Sequence, residues 1–180
     1  MVAEKLVARW QLGRARERFR GRIVEGRIPA AAGMAGGMAP GGRPPRVAVL
    51  CPQTYMNDAG RSVGPARGSY KLALERVLVV HDEIDLPFGE IRARTGGGLA
   101  GHNGLRSIKR ELGSGEFARV RVGVGRPDST DPEIVAAYVL GRFRESEAEV
   151  RELVGRACDV VERLVLGEPQ VEAPARGEES

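Results

Sequence analysis

Three short polar stretches hold the side chains that could do chemistry: Tyr55, Met56 and Asn57; His81, Asp82, Glu83 and Asp85; and His102 with Asn103 inside the glycine-rich GGGLAGHNG. The second stretch ends an apolar run and the third opens a helical pattern, and strand ends are where α/β folds place ligands. A glycine-rich loop lets backbone approach a ligand and offers amide donors, but no Lys-Ser or Lys-Thr follows it, so it is no nucleotide P-loop. The acids of HDEID alternate along an extended segment, which puts Asp82 and Glu83 on opposite sides, and the chain has 2 histidines in all. That is a poor metal set. A serine nucleophile is unsupported as well, because no G-x-S-x-G elbow occurs. What these residue types support is hydrolysis: a carboxylate orients a histidine that activates water, and asparagine amides hold a carbonyl.

The elements that position these groups are legible in the spacing. Ala3, Leu6, Val7 and Trp10 recur at helical intervals, so the chain opens as a helix with Trp10 in the core. Nothing ahead of Ala3 can cap that helix, so residue 1 is expected to lie inside an element. FRGRIVEGRI from Phe19 and PRVAVLCP from Pro45 alternate like strands, and the Pro-, Gly- and Ala-rich residues 29–45 between them read as a flexible hairpin loop. YMNDAGRSVGPARGSYKLAL reads as a helix broken at Gly64 and Pro65. RVLVVHDE is a continuous apolar run expected to be a strand buried on both faces. HNGLRSIKREL predicts a helix with Leu105, Ile108 and Leu112 inward, and ARVRVGVG an alternating strand with Arg119 and Arg121 on one face. Val150 to Val165 form one helical stripe that Gly167 and Pro169 end. The last residues, 167–180, are charged, poor in large apolar groups and expected to be disordered. Strands interleaved with helices argue for a three-layer α/β/α sandwich around a mostly parallel or mixed sheet.

A chain of 180 residues with 42% apolar content supports one domain. No run is long and apolar enough for a membrane span, the first residues lack a signal peptide's apolar block, and the cytoplasm is the expected compartment. Cys51 and Cys158 stand alone and read as reduced, buried thiols. Charge is unevenly spread: residues 142–180 carry more acids than arginines, so the excess of base lies ahead of them. Arg92, Arg94, Arg106, Lys109, Arg110, Arg119, Arg121 and Arg126 form a local surplus that would draw a polyanion such as nucleic acid, although a solvated face would look the same.

CPQTYMNDAG, VVHDEIDLPFGEIRARTGGGLAGHNGLRSIKRELG and FARVRVGVGRP, in this order and spacing, resemble the bacterial peptidyl-tRNA hydrolase family over residues 1–166. The resemblance implies a monomer that cleaves the ester joining peptide to tRNA, recycling tRNA in translation without metal or organic cofactor. It implies that Asp82 orients and polarises the catalytic histidine. Tyr55, Met56, Asn57, His102 and Asn103 would line the groove for the peptide and the terminal adenosine. Arg92, Arg94 and Arg121 would take the tRNA 5′ phosphate, where paired guanidinium donors suit phosphate oxygens, and His81 would be structural.

The pattern also departs from the family's. There, a glycine-rich first strand in the middle of the sheet, an N-P-G turn and an R-H-N segment come before the helix found here at Ala3. The histidine of R-H-N is the general base, and it is absent from these residues. The expectation is therefore a sandwich with its first central strand missing, unstable alone and inactive or nearly so, because loss of a general base costs on the order of 100- to 10,000-fold in rate. A non-catalytic tRNA-binding relic is the alternative.

Overall fold

The computed structural model describes residues 1–29 and 44–167. Except for residues 29, 44, 45 and 167, the expected 29–45 loop and 167–180 tail lie outside the described residues.

The two alternating runs pair as the hairpin reading requires: β2 (Gly21–Arg27) and β3 (Arg46–Pro52) are antiparallel from Gly21↔Pro52 to Arg27↔Arg46. A short strand the sequence did not announce, β1 (Arg16–Arg18), joins β2 through Phe19 and Arg20. Both turn residues have positive φ, 56° and 51°, the conformation that two-residue hairpins favour. A second sheet holds β4 (Leu78–Glu83), β5 (Ile91–Thr95) and β6 (Ala118–Gly123) in the order β4-β6-β5, with β4 parallel and β5 antiparallel to β6.

Among the described residues the strands form two three-stranded sheets, and β3 and β4 are each an edge, as a mixed sheet without its central strand implies. The run RVLVVHDE is correspondingly half-buried at Leu78, Val79 and Val80 rather than buried on both faces. Its apolar length reflects the helices above and below it, and periodicity cannot report a missing neighbour within the sheet. An unpaired apolar edge is a liability that proteins normally cover or charge.

Helices cover both faces of the second sheet, which makes the three layers. Val120 and Val122 pack with α1 (Val2–Arg9) and α5 (Glu147–Leu166) around Leu6, Trp10, Leu153 and Cys158. Trp10 is buried and donates its indole N–H to Glu162 Oε1 at 2.7 Å, which fixes α1 against α5. On the other face Val77, Val79 and Phe117 meet Leu105, Ile108 and Leu112 of α3 (Asn103–Leu112), the inward stripe read from the sequence. α5 begins at a reciprocal capping box between Ser146 and Glu149 and ends at Gly167, φ 77°.

The segment expected to break at Gly64 and Pro65 is a continuous α2 (Gly60–Tyr70), preceded by a 3-10 turn at Met56–Asp58. Packing overrides the local propensity. A Cβ on Gly60 would lie 2.2 Å from the Ser107 carbonyl oxygen, so the glycine is what lets α2 close on α3, and its amide donates to Ser107 Oγ at 3.0 Å. An unforeseen helix, α4 (Pro132–Leu140), is capped by Asp131 with Pro132 in its first turn and buries none of its residues. No helix among the described residues is long and apolar enough to cross a membrane.

Candidate active site

Asp82 stands at the carboxyl end of β4, and His102 is the N-cap of α3, reached from β5 through the glycine-rich loop. The two meet with His102 Nε2 3.6 Å from Asp82 Oδ1. The tautomer follows from the cap: His102 Nδ1 accepts the Leu105 N–H at 3.3 Å, so the ring proton sits on Nε2 and faces the carboxylate. Contact with this ring holds the Asp82 carboxyl below its ordinary value, against the opposing effect of burial.

His81 lies edge-on to His102, ring centroids 5.0 Å apart. Its Nδ1 is 2.7 Å from the Asp82 backbone carbonyl and donates to it, which leaves a lone pair on Nε2. That Nε2 is buried with no partner among the described residues. Burial pushes the His81 pKa down to about 4, with the proximity of His102 acting in the same direction. Unfolded histidine binds its proton near pH 6.5. Between pH 6.5 and about 4 the unfolded state therefore holds more protons, and stability falls as pH falls. On this account His81 removes about 3 kcal/mol of stability on going from pH 7 to pH 4. His81→Gln is expected to lose that part of the slope in urea melts across this range, and an unchanged slope would exclude His81 as its source.

A cavity of about 370 Å³ opens between β3 and β4, lined on one side by Ala48, Leu50 and Pro52 and on the other by each residue from Leu78 to Asp82. Lining by five consecutive residues means that it runs along the edge of β4, since a strand presents only alternate residues to a face. Met56, His81, Asp82 and His102 all border it, so the structure brings these groups together. Met56 also abuts α3, since a Cβ on Gly104 would lie 2.5 Å from its sulfur. Tyr55, Asn57 and Asn103 are exposed next to these residues in sequence and do not line the cavity.

The alternation read in HDEID holds. Asp82 faces His102, whereas Glu83, 5% exposed, accepts from Arg121 Nε at 3.0 Å. Arg92 stands opposite Arg121 and Arg94 opposite Arg119 across β5 and β6, so all four arginines share one face. They are not equivalent. Arg92 and Arg94 are exposed, with Arg92 paired to Glu90, while Arg121 is mostly covered and neutralised by Glu83. Arg119, counted in the sequence as part of a solvent-facing surplus, is 1% exposed. Composition missed both the Glu83–Arg121 pair and this burial. The strand's alternation gave the shared face but could not say that the glycine loop lies on it. No cluster of three or more metal-ligating side chains occurs among the described residues.

The chain is thus an α/β sandwich with a carboxylate–histidine pair at the end of a strand and four arginines on one face of the same sheet. Comparison with known proteins makes this specific. The family model described as peptidyl-tRNA hydrolase matches residues 1–176. The peptidyl-tRNA hydrolase of Kineococcus radiotolerans is 43% identical over 92% of this chain and 80% of the relative. That of Geotalea daltonii is 49% identical over 66% of this chain, an alignment spanning only 61% of the relative's length. The crystal structure of the Acinetobacter baumannii peptidyl-tRNA hydrolase superposes with a TM-score of 0.72 at 35% identity, covering 92% of this chain and 77% of that one. The chain belongs to the peptidyl-tRNA hydrolase family.

Proposed function

We propose that this chain binds peptidyl-tRNA as a monomer in the cytoplasm and contributes the substrate-holding part of a site that hydrolyses the peptide–tRNA ester. The observation that carries the reading is the meeting of Asp82 and His102 on a cavity of about 370 Å³, on the same sheet as the arginine face of β5 and β6. In the reaction, water adds to the ester carbonyl as a base takes its proton. The carbonyl–ribose oxygen bond then breaks, and the ribose oxygen recovers a proton. Asp82 orients and stabilises the imidazole that carries that proton. The exposed amides of Asn57 and Asn103, with Tyr55, Met56 and His102, hold the peptide and the terminal adenosine. Arg92, Arg94 and Arg121 take the 5′ phosphate of the tRNA.

Neither histidine of the chain is a ready base. His102 has one ring nitrogen accepting from Leu105 and the other turned to Asp82. His81 has its free lone pair buried and its basicity depressed to about 4. This engagement of both imidazoles favours the second reading, tRNA binding with little or no turnover, for the 180-residue polypeptide on its own.

Binding of deacylated tRNA tests the partner independently of turnover. Affinity is expected to fall as salt rises, with a negative log–log slope, as contact with tRNA phosphate requires. Arg92→Ala or Arg94→Ala is each expected to weaken binding and flatten that salt dependence. A salt-independent interaction, or slopes that neither variant changes, would remove tRNA phosphate as the ligand of this face.

A further inference from the structure

We propose that Arg119 is a positioning residue that locks the glycine-rich loop and thereby sets His102 against Asp82. The inference deepens the reading of that site and assigns Arg119 no contact with RNA. The guanidinium lies under the loop, 1% exposed, and donates from Nη1 to the Gly98 carbonyl at 2.9 Å and from Nη2 to the Gly96 carbonyl. No carboxylate among the described residues forms an ion pair with it, and its Nε is buried without a partner. Burial lowers its pKa, and the charges of Arg94 and Arg121 act in the same direction. Loop carbonyl oxygens are therefore the main groups that solvate a buried cation, and if the loop lifts that cation loses them.

The path from this anchor to the reactive end is short. Gly96 is also held through its amide to the Phe117 carbonyl, and it adopts φ 65°, followed by Gly97 at 81°. From Gly98 the chain makes one turn, closed by the His102 amide donating to the Leu99 carbonyl at 2.8 Å, with Gly101 at φ 73°. His102 then caps α3 and presents Nε2 to Asp82. Two fixed carbonyls at one end and a closed turn at the other leave little freedom for the ring. The glycines that give the loop its shape supply no side chain to hold it, so that task falls to the strand beneath.

The test compares wild type with Arg119→Lys and Arg119→Met by amide hydrogen exchange and by ¹⁵N chemical shifts of the His102 ring. In Arg119→Met, exchange at residues 96–102 is expected to rise at least about tenfold over wild type while α5 amides stay protected. The ring shifts are expected to lose the single Nε2–H tautomer. Arg119→Lys keeps the charge and one carbonyl contact and is expected to fall between the two, which retains the test if Arg119→Met does not fold. Exchange rising equally in the loop and α5 would make Arg119 merely a core residue and overturn the proposal. So would an unaltered His102 tautomer in both variants. Neither readout depends on turnover, so a failure of the hydrolase reading and a failure of this one are separately visible.

Discussion

Free imidazole in solution is expected to raise peptide release by the purified 180-residue chain, restoring part of the roughly 100- to 10,000-fold that a general base contributes. Without it, the chain is expected to be about 100- to 10,000-fold slower than the Kineococcus radiotolerans relative under the same conditions, the usual effect of lacking a general base. The reason is local. Asp82 keeps its carboxylate charged below the ordinary range and faces a cavity of about 370 Å³ that a small heterocycle can enter. A soluble imidazole entering there meets a carboxylate that can orient it, but it lacks the entropic advantage of a tethered ring, so rescue remains partial. Asp82→Asn removes the negative charge with little change of shape and is expected to abolish the rescue while leaving tRNA binding intact. Initial rates of peptide release against imidazole concentration, in both proteins, decide the matter. Bare-chain turnover equal to the relative's, or rescue undiminished in Asp82→Asn, would end the assignment of Asp82 as the group that orients the base.

The sequence made some of this site readable and hid the rest for identifiable reasons. Alternation in HDEID correctly separated Asp82 from Glu83, because a strand has a strict period of two and both residues end one. Leu105, Ile108 and Leu112 gave α3 its inward face, since three apolar residues at helical spacing have one way to be buried. The helix expected to break at Pro65 continued, because packing of Gly60 on Ser107 outweighs a weak local signal. Strand pairing was less accessible. Nothing in RVLVVHDE itself distinguishes a central strand from one whose outer edge borders a cavity; the division of the sheet was legible only through the resemblance, in which a strand precedes the helix at Ala3. Arg119 and Arg121 show the same limit in charge patterning: identical residues two apart on one strand face, one clamping carbonyls and the other paired to Glu83.

Glu83→Ala is expected to destabilise the fold by about 3–5 kcal/mol, as is usual when one partner of a buried ion pair is removed. For a chain of this size that lowers Tm by about 6–20 °C in calorimetry. Glu83 is 5% exposed, with one carboxylate oxygen accepting from Arg121 and the other from the Asp85 amide at 3.3 Å. Truncation leaves Arg121 partly desolvated on a face it shares with Arg92, Arg94 and Arg119, so the loss includes like-charge repulsion as well as an unmade hydrogen bond. Glu83→Gln preserves shape and an acceptor for Asp85 and is expected to cost less than the alanine variant. Binding moves the other way. If Arg121 reaches a tRNA phosphate, it must give up part of its bond to Glu83, and removing that competitor in folded Glu83→Gln raises tRNA affinity at low salt. Lower stability with tighter binding in one variant is a combination that a purely structural pair does not produce. Weaker or unaltered binding in Glu83→Gln would confine Arg121 to the fold and leave the exposed Arg92 and Arg94 as the phosphate contacts.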